Sequence, residues 1–433
     1  MKVAAQRVFR KTLAAIDIPA TLARKLDRDG SRIRAAGRII DLREFSKIIA
    51  IAYGKASFAM AEGFTTVLSP DFQLRGILSI PAKPPRELPG WETFVGGHPL
   101  PNAESLAAGR AILDLLASCD ERTLIFFLLS GGGSALVEQP LDRAVTLEDF
   151  QKLNSALVTC GAPIQEINAI RKHLSATKGG RLAAAAPNSW KLTLGVTDVP
   201  EGHESALGSG PTLPDPTTIE DAYRVAGDFR IIPKMPASIR AAFENRTLQE
   251  TPKDGDPVFS RAPFELLLGE HELMHAAHHA CESEGYVCLC DNATDNWPLE
   301  KAADHLLAEL EKMKYANPGR PVAILADGEV SSPVTGDGIG GRNSAFVLAC
   351  VPKIAGKRIA ILSAGTDGVD GNSPAAGAVA DGESLSRANR AGLNVADFLR
   401  RSDAYHFFTR LGDAVITGPT GNNLRDLRVL LAS

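Results

Sequence analysis

The run TLIFFLLSGGGSALVE, residues 123–138, constrains this chain more than any other stretch. Residues 124–129 are apolar without the alternation of a half-wet strand, so they predict a buried strand of a parallel sheet, covered on both faces. Ser130-Gly131-Gly132-Gly133-Ser134 follows immediately. Consecutive glycines lose much backbone entropy on ordering, and they suit places where φ must be positive or where a ligand approaches the main chain. Bare amides in such a loop can cradle an anion, although a glycine-rich loop alone is as often a plain strand-to-helix turn.

The preceding and following segments repeat the pattern. Residues 47–52 predict a short strand that runs through Gly54-Lys55 into an alanine-rich helix, where the lysine ammonium could face an anion beside the helix start. It is not a P-loop, because the earlier glycine of that motif is absent. Residues 76–80 read as a strand, and Asn102 or Ser105 can cap a helix over 103–117. A helix over 147–158 leads to INAIRKHLSATKGGR, residues 167–181, in which basic side chains interleave with apolar ones before Gly179-Gly180-Arg181. The strand at 192–196 runs into Asp198, which the pattern puts at the carboxyl edge of the sheet, where open α/β sheets bind ligands. Gly208-Ser209-Gly210-Pro211 adds more close-approach backbone. Strand–helix alternation predicts a doubly wound, mostly parallel α/β N-terminal domain over 1–250. The proline-punctuated segment 250–263 predicts a boundary, with a second α/β domain over 260–433.

Composition narrows the function classes. The chain has 433 residues, 44% of them hydrophobic, enough for two cored domains. A net charge of -4 with no long basic run gives no footprint for nucleic acid, and nothing predicts a membrane span, so a small-molecule substrate is expected. The basic, amphipathic start lacks the continuous apolar core of a signal peptide, and Asp17 and Asp27 weaken a transit-peptide reading. Six scattered cysteines read as reduced thiols, which suits a cytoplasmic protein.

The second half opens with a strand over 264–268 and a helix over 270–284. That helix carries His271-Glu272-Leu273-Met274-His275, a formal H-E-x-x-H zinc-hydrolase match. The extended motif wants glycine and histidine where His278 and Cys281 stand, so a partly exposed helix is the better expectation. Gly336, Gly338 and Gly341 satisfy G-x-G-x-x-G, a weak dinucleotide signal because Pro333 spoils the preceding strand. Arg342, at the next helix start, offers a planar fork suited to phosphate or carboxylate. The loop after the strand at 359–362 carries Asp367 and Asp370, which could hold Mg²⁺ through water or simply make Asp-Gly turns.

Taken together, SGGGSAL, the Gly-Lys helix start, INAIRKHLSATKGGRLA, TDVPEG with GSGPTLPDPTT, GDGIGGRN, SAGTDGVDG and TGPTGNN make the chain resemble the two-domain D-glycerate 2-kinases. Their C-terminal part is called the MOFRL domain, and they are often labelled hydroxypyruvate reductases. The resemblance runs from about Arg10 to the end. It implies phosphoryl transfer from ATP, with Mg²⁺, to the 2-hydroxyl of D-glycerate in an inter-domain cleft. By position it implies Lys55, Asp198 and Arg342 as catalytic residues, with Asp198 or Asp367 on the metal. It further implies that Ser130, Gly131, Gly132, Gly133, Ser134, Lys178, Gly179, Arg181, Ser209, Gly210, Glu329, Asn343, Asp367 and Asp370 bind nucleotide or substrate. Oligomeric state stays open, a homodimer included. Two positions depart from the family pattern: Ser344-Ala345 stand where Gln-Glu is usual, and Asp327-Gly328-Glu329 where Gly-Gly-Glu is usual. The rival expectations are an NAD(P)H-dependent hydroxypyruvate reductase, a zinc hydrolase using the HELMH helix, and a catalytically dead sugar-acid sensor.

Overall fold

The computed structural model describes every residue except Asp198, Pro200, Glu201 and Asn423. The described residues divide into two units, Ile18–Gly269 and the combination of Met1–Asp17 with Glu270–Ser433. In the first unit, β1 (Arg32–Ala35) and β2 (Arg38–Asp41) form a small antiparallel ribbon. Its main sheet contains β3 (Lys47–Tyr53), β4 (Leu74–Ile80), β5 (Trp91–Val95), β6 (Thr123–Ser130), β7 (Trp190–Val196) and β8 (Phe264–Leu268). The spatial order is β5-β4-β3-β6-β7-β8 and every neighbouring pair is parallel. The chain builds outward from β3 to β5, then returns to the other side of β3 with β6. This makes the β3/β6 junction the topological switch point, the crevice where doubly wound sheets take their ligands.

The absence of alternation in β6 has a direct cause. Phe126 meets Phe64 of the helix Ser57–Leu68, ring centroids 4.5 Å apart. Its neighbour Phe127 packs in a cluster with Ile112 and Leu116 of the helix Ala103–Ala117. Successive side chains of a strand point to opposite faces, and here both faces are covered, so both must be apolar. Burying each ring contributes about 1.5–3 kcal/mol. Asn102 caps the second of these helices, accepting the Ser105 amide at 2.9 Å while Ser105 Oγ accepts the Asn102 amide at 3.1 Å.

The other unit holds a mixed sheet of β9 (Val287–Cys290), β10 (Val322–Asp327), β11 (Ile359–Gly365), β12 (Gly377–Asp381), β13 (Ala414–Val415) and β14 (Asp426–Ala432). Its order is β13-β12-β11-β14-β10-β9, with only β9 and β10 parallel. One face is covered by the helices Leu299–Ala316 and Arg342–Cys350. The helices Lys2–Ala15 and Glu270–Ser283 cover the other face.

These units depart from the expected division into 1–250 and 260–433 at two places. First, β8 pairs in parallel with β7, and the segment before it is bonded to the first unit through Lys191 N to Arg261 O at 2.8 Å and Thr193 N to Pro263 O at 3.0 Å. Prolines therefore punctuate an approach to the sheet edge rather than a linker. Second, the N-terminal helix buries Ala5, Val8 and Phe9 against Met274, Ala277 and Cys281. Lys2 reaches Asp413 at 2.9 Å and Arg7 reaches Glu284 at 2.6 Å, which adds charge pairing to the same docking.

Candidate functional site

At the switch point the loops after β3 and β6 are laced together. The Lys55 amide donates to Gly131 O and the Ala56 amide to Ser130 Oγ, both at 2.9 Å. This contact requires glycine at 54: its φ is +124°, and a Cβ there would fall onto the Ser130 side chain and carbonyl. Gly132 is left-handed, at φ +78°, and a Cβ on it would lie 3.1 Å from both Lys55 Cγ and His98 Nε2. Gly132 is therefore the floor of a notch walled by a lysine stem and an imidazole. Burial, with help from the Lys55 ammonium, holds His98 below the ordinary histidine pKa.

Beyond Gly132 opens a cavity of about 590 Å³ within the Ile18–Gly269 unit, lined by Gly131, Ser134, Asn168, Arg171, Lys178 and Ser209 among others. Its walls are joined by local chemistry. Ser134 Oγ lies 2.9 Å from Ser209 Oγ, and the Gly179 and Gly180 amides donate to Ser209 O at 3.0 Å and Gly210 O at 2.7 Å. Ser209 is itself left-handed, at φ +65°, an uncommon conformation for a residue with a side chain. Lys178 is buried and gives its ammonium to Glu138 Oε2 at 2.8 Å and Val137 O at 3.2 Å. Burial drives its pKa down and Glu138 opposes that shift. Ser175 Oγ holds the other oxygen of Glu138. Arg181 turns elsewhere, donating to Gln249 O at 3.0 Å and Glu250 O at 3.2 Å, so of the expected basic pair only Lys178 lines the cavity.

The remaining expected residues form a second cluster in the other unit. Arg342 begins the helix Arg342–Cys350 and is bound by Asp426 through Nε and by Glu329 at 2.7 Å through Nη1. Burial works against its charge, yet these two carboxylates raise its pKa above the ordinary value. Asp370 closes the same helix start, taking the Asn343 amide at 2.9 Å, the Ser344 amide at 2.8 Å and Ser344 Oγ at 2.6 Å. Ser344, one of the departures from the family pattern, thus completes a cap. Asn343 accepts Ser363 Oγ through its amide oxygen. Asp367 takes the Val369 amide at 3.0 Å, an Asp-Gly turn of its own. Asp198 lies outside the described residues.

Sequence reasoning missed the charges beneath Arg342. Asp327, the other departure, is 1% exposed and bound to Arg425 at 3.1 Å; burial lifts its carboxyl to about 6. Arg425 also pairs with Glu270 at 3.1 Å and with Asp295. Arg428 is fully buried in β14 and donates to the carbonyls of Asp327 and Gly328. The available signal was two charged residues inside the otherwise apolar end DLRVLLA.

Neither rival motif keeps its basis. On the helix Glu270–Ser283 the buried stripe is Leu273, Met274, Ala277, Ala280 and Cys281, with His271 and His275 on the exposed face. Among the described residues no three His, Cys, Asp or Glu side chains are grouped to hold a metal. The glycines of the G-x-G-x-x-G stretch are there for packing: a Cβ at Gly336 or Gly338 would meet the Arg401 backbone at 2.6 or 2.5 Å, and one at Gly341 would overlap Asp370. All six cysteines are free, and no described helix is long and apolar enough to cross a membrane.

Comparison with known proteins also divides the chain in two, but counts the N-terminal helix with the first part. Residues 4–244 match the family described as a domain of unknown function, DUF4147, and residues 322–426 match the MOFRL family. The chain is 32% identical to a D-glycerate 2-kinase of Thermotoga maritima, over 91% of this chain and 93% of that one. It is 34% identical to a putative hydroxypyruvate reductase of Agrobacterium vitis, over 90% of this chain and 88% of that one. The crystal structure of a Thermotoga maritima glycerate kinase superposes with a TM-score of 0.86 at 30% identity, covering 100% of this chain and 99% of that one.

Proposed function

Because the chain belongs to the glycerate 2-kinase family, with its DUF4147 and MOFRL parts, we propose that it phosphorylates D-glycerate on the 2-hydroxyl, giving 2-phosphoglycerate, with ATP as donor. The single observation that carries the reading is the laced pair of loops at the β3/β6 switch point, where Lys55 stands over a glycine floor. The mouth of this notch, beside the Lys55 stem, is the place proposed for a phosphate of the nucleotide. Mg²⁺ characteristically uses one or two carboxylates plus phosphate oxygens, so we assign it to the nucleotide rather than to a protein cage. ATP with Mg²⁺ supplies the transferable phosphoryl group.

Phosphoryl transfer runs through a loose transition state in which the main task is stabilising charge on the transferring oxygens. Lys55 is proposed for that role. Arg342 is a second proposed stabiliser, oriented by Asp426 and Glu329. Asp198 is proposed to accept the hydroxyl proton, on the family resemblance alone. A reducing compartment such as the cytoplasm belongs to the proposal and is supported by the six free thiols.

The deciding experiment follows ADP release with D-glycerate and ATP, with the phosphate position read by NMR. Stoichiometric ADP and 2-phosphoglycerate are expected. NADH oxidation with hydroxypyruvate and no ADP release would replace this reading with the reductase named for the Agrobacterium vitis relative.

A further inference from the structure

Two basic side chains line the 590 Å³ cavity, Lys178 and Arg171, and the structure treats them differently. Lys178 is already neutralised by Glu138 at 2.8 Å. Arg171 has no carboxylate within salt-bridge distance among the described residues; its hydrogen bond runs from Nε to Asn154 Oδ1, at 2.9 Å. Arg171 lies on the helix Ile164–Leu174, and Ile164, Asn168 and Arg171, at positions i, i+4 and i+7, share the face that lines the cavity. The bond to Asn154, which lines the same cavity, occupies Nε. The surroundings are largely apolar, with Leu100, Ala135, Val158 and Leu207 in the wall. Burial pushes the Arg171 pKa down, and the field of Glu138, already shared with Lys178, offsets only part of that cost; an arriving carboxylate would complete the compensation through two parallel N–H···O bonds.

We propose that Arg171 is the receptor for the carboxylate of the acceptor acid, and so selects a hydroxy acid over the corresponding alcohol or aldehyde. This rests on the glycerate-kinase reading and assigns the acceptor to this cavity. Ser134, Asn168 and Ser209 then face the rest of the acceptor with hydroxyl and amide groups suited to its hydroxyls. The Lys55 stem stands at the Gly132 end of the same cavity.

The test measures steady-state constants for wild type, Arg171→Lys, Arg171→Met and Asn154→Asp, with folding checked by circular dichroism. The carboxylate introduced by Asn154→Asp would occupy Arg171 while leaving it in place, which keeps the test informative if Arg171→Met does not fold. Arg171→Met and Asn154→Asp are expected to raise KM for D-glycerate on the order of 10- to 100-fold, the scale of a charge-assisted hydrogen-bond pair. Arg171→Lys should fall between, and KM for ATP should stay within about twofold in all three. The preference for D-glycerate over glycerol should shrink in parallel. An unchanged glycerate KM in the folded variants, or a rise in KM for ATP instead, overturns the assignment while the kinase reading stands. A wild type that releases no ADP with glycerate removes the kinase reading itself and this assignment with it.

Discussion

The amide of Lys55 donates to the carbonyl of Gly131 at 2.9 Å, joining the loops that leave two adjacent parallel strands. The lysine backbone is therefore set by the glycine loop, and its side chain rises beside Gly132. Strand order alone makes this possible, because β3 and β6 become neighbours only when the chain reverses its direction of growth across the sheet.

Removing either proposed charge stabiliser is expected to cost activity more than fold. Lys55→Ala should lower kcat on the order of a hundredfold, the scale of one lost oxyanion-type donor. Arg342→Ala should do the same, with added instability because Asp426 loses its partner. Single-turnover rates decide, and undiminished turnover in either folded variant removes that residue's role.

The buried Lys178–Glu138 pair should respond asymmetrically to substitution. Glu138→Ala leaves a buried ammonium without its anion and should destabilise by about 3–5 kcal/mol, whereas a joint Glu138→Leu, Lys178→Met replacement should be much milder. Urea midpoints at constant m-value separate the two cases. Equal losses would mean the pair acts through packing rather than charge.

Asp327 sets a pH dependence whose sign can be worked out. Burial raises its carboxyl to about 6, despite Arg425 at 3.1 Å, while an unfolded aspartate titrates near about 4. The folded state holds the proton more tightly, so this contribution is fully present below about pH 4 and is lost as pH rises through 6. A shift of about two units corresponds to roughly 3 kcal/mol. The stability of wild type minus that of Asp327→Asn should therefore fall between pH 4 and 7 by an amount of that order. A difference that stays flat across the range would show that Asp327 is ionised as easily as in the unfolded chain.

Much of the framework was legible from residue order, because it depends on local physics. Continuous apolar runs announced buried parallel strands, and the glycine run at 131–133 announced backbone needing positive φ or close approach, as Gly132 has. The ordered motifs were enough to give the family. Which charges meet was not legible. Lys178 and Arg181 look alike in the string, yet one pairs with Glu138, forty positions away, and the other turns to the carbonyls of Gln249 and Glu250. Arg171 lines the cavity, bonded to Asn154. The tie of β8 to the first sheet, the N-terminal helix on the second, and the Asp327–Arg425 pair across 98 positions are equally non-local. Periodicity and φ restrict each residue through its immediate neighbours, so the one-dimensional string determines strands and turns. Charge pairing depends on which distant strands become adjacent, and only the folded packing decides that.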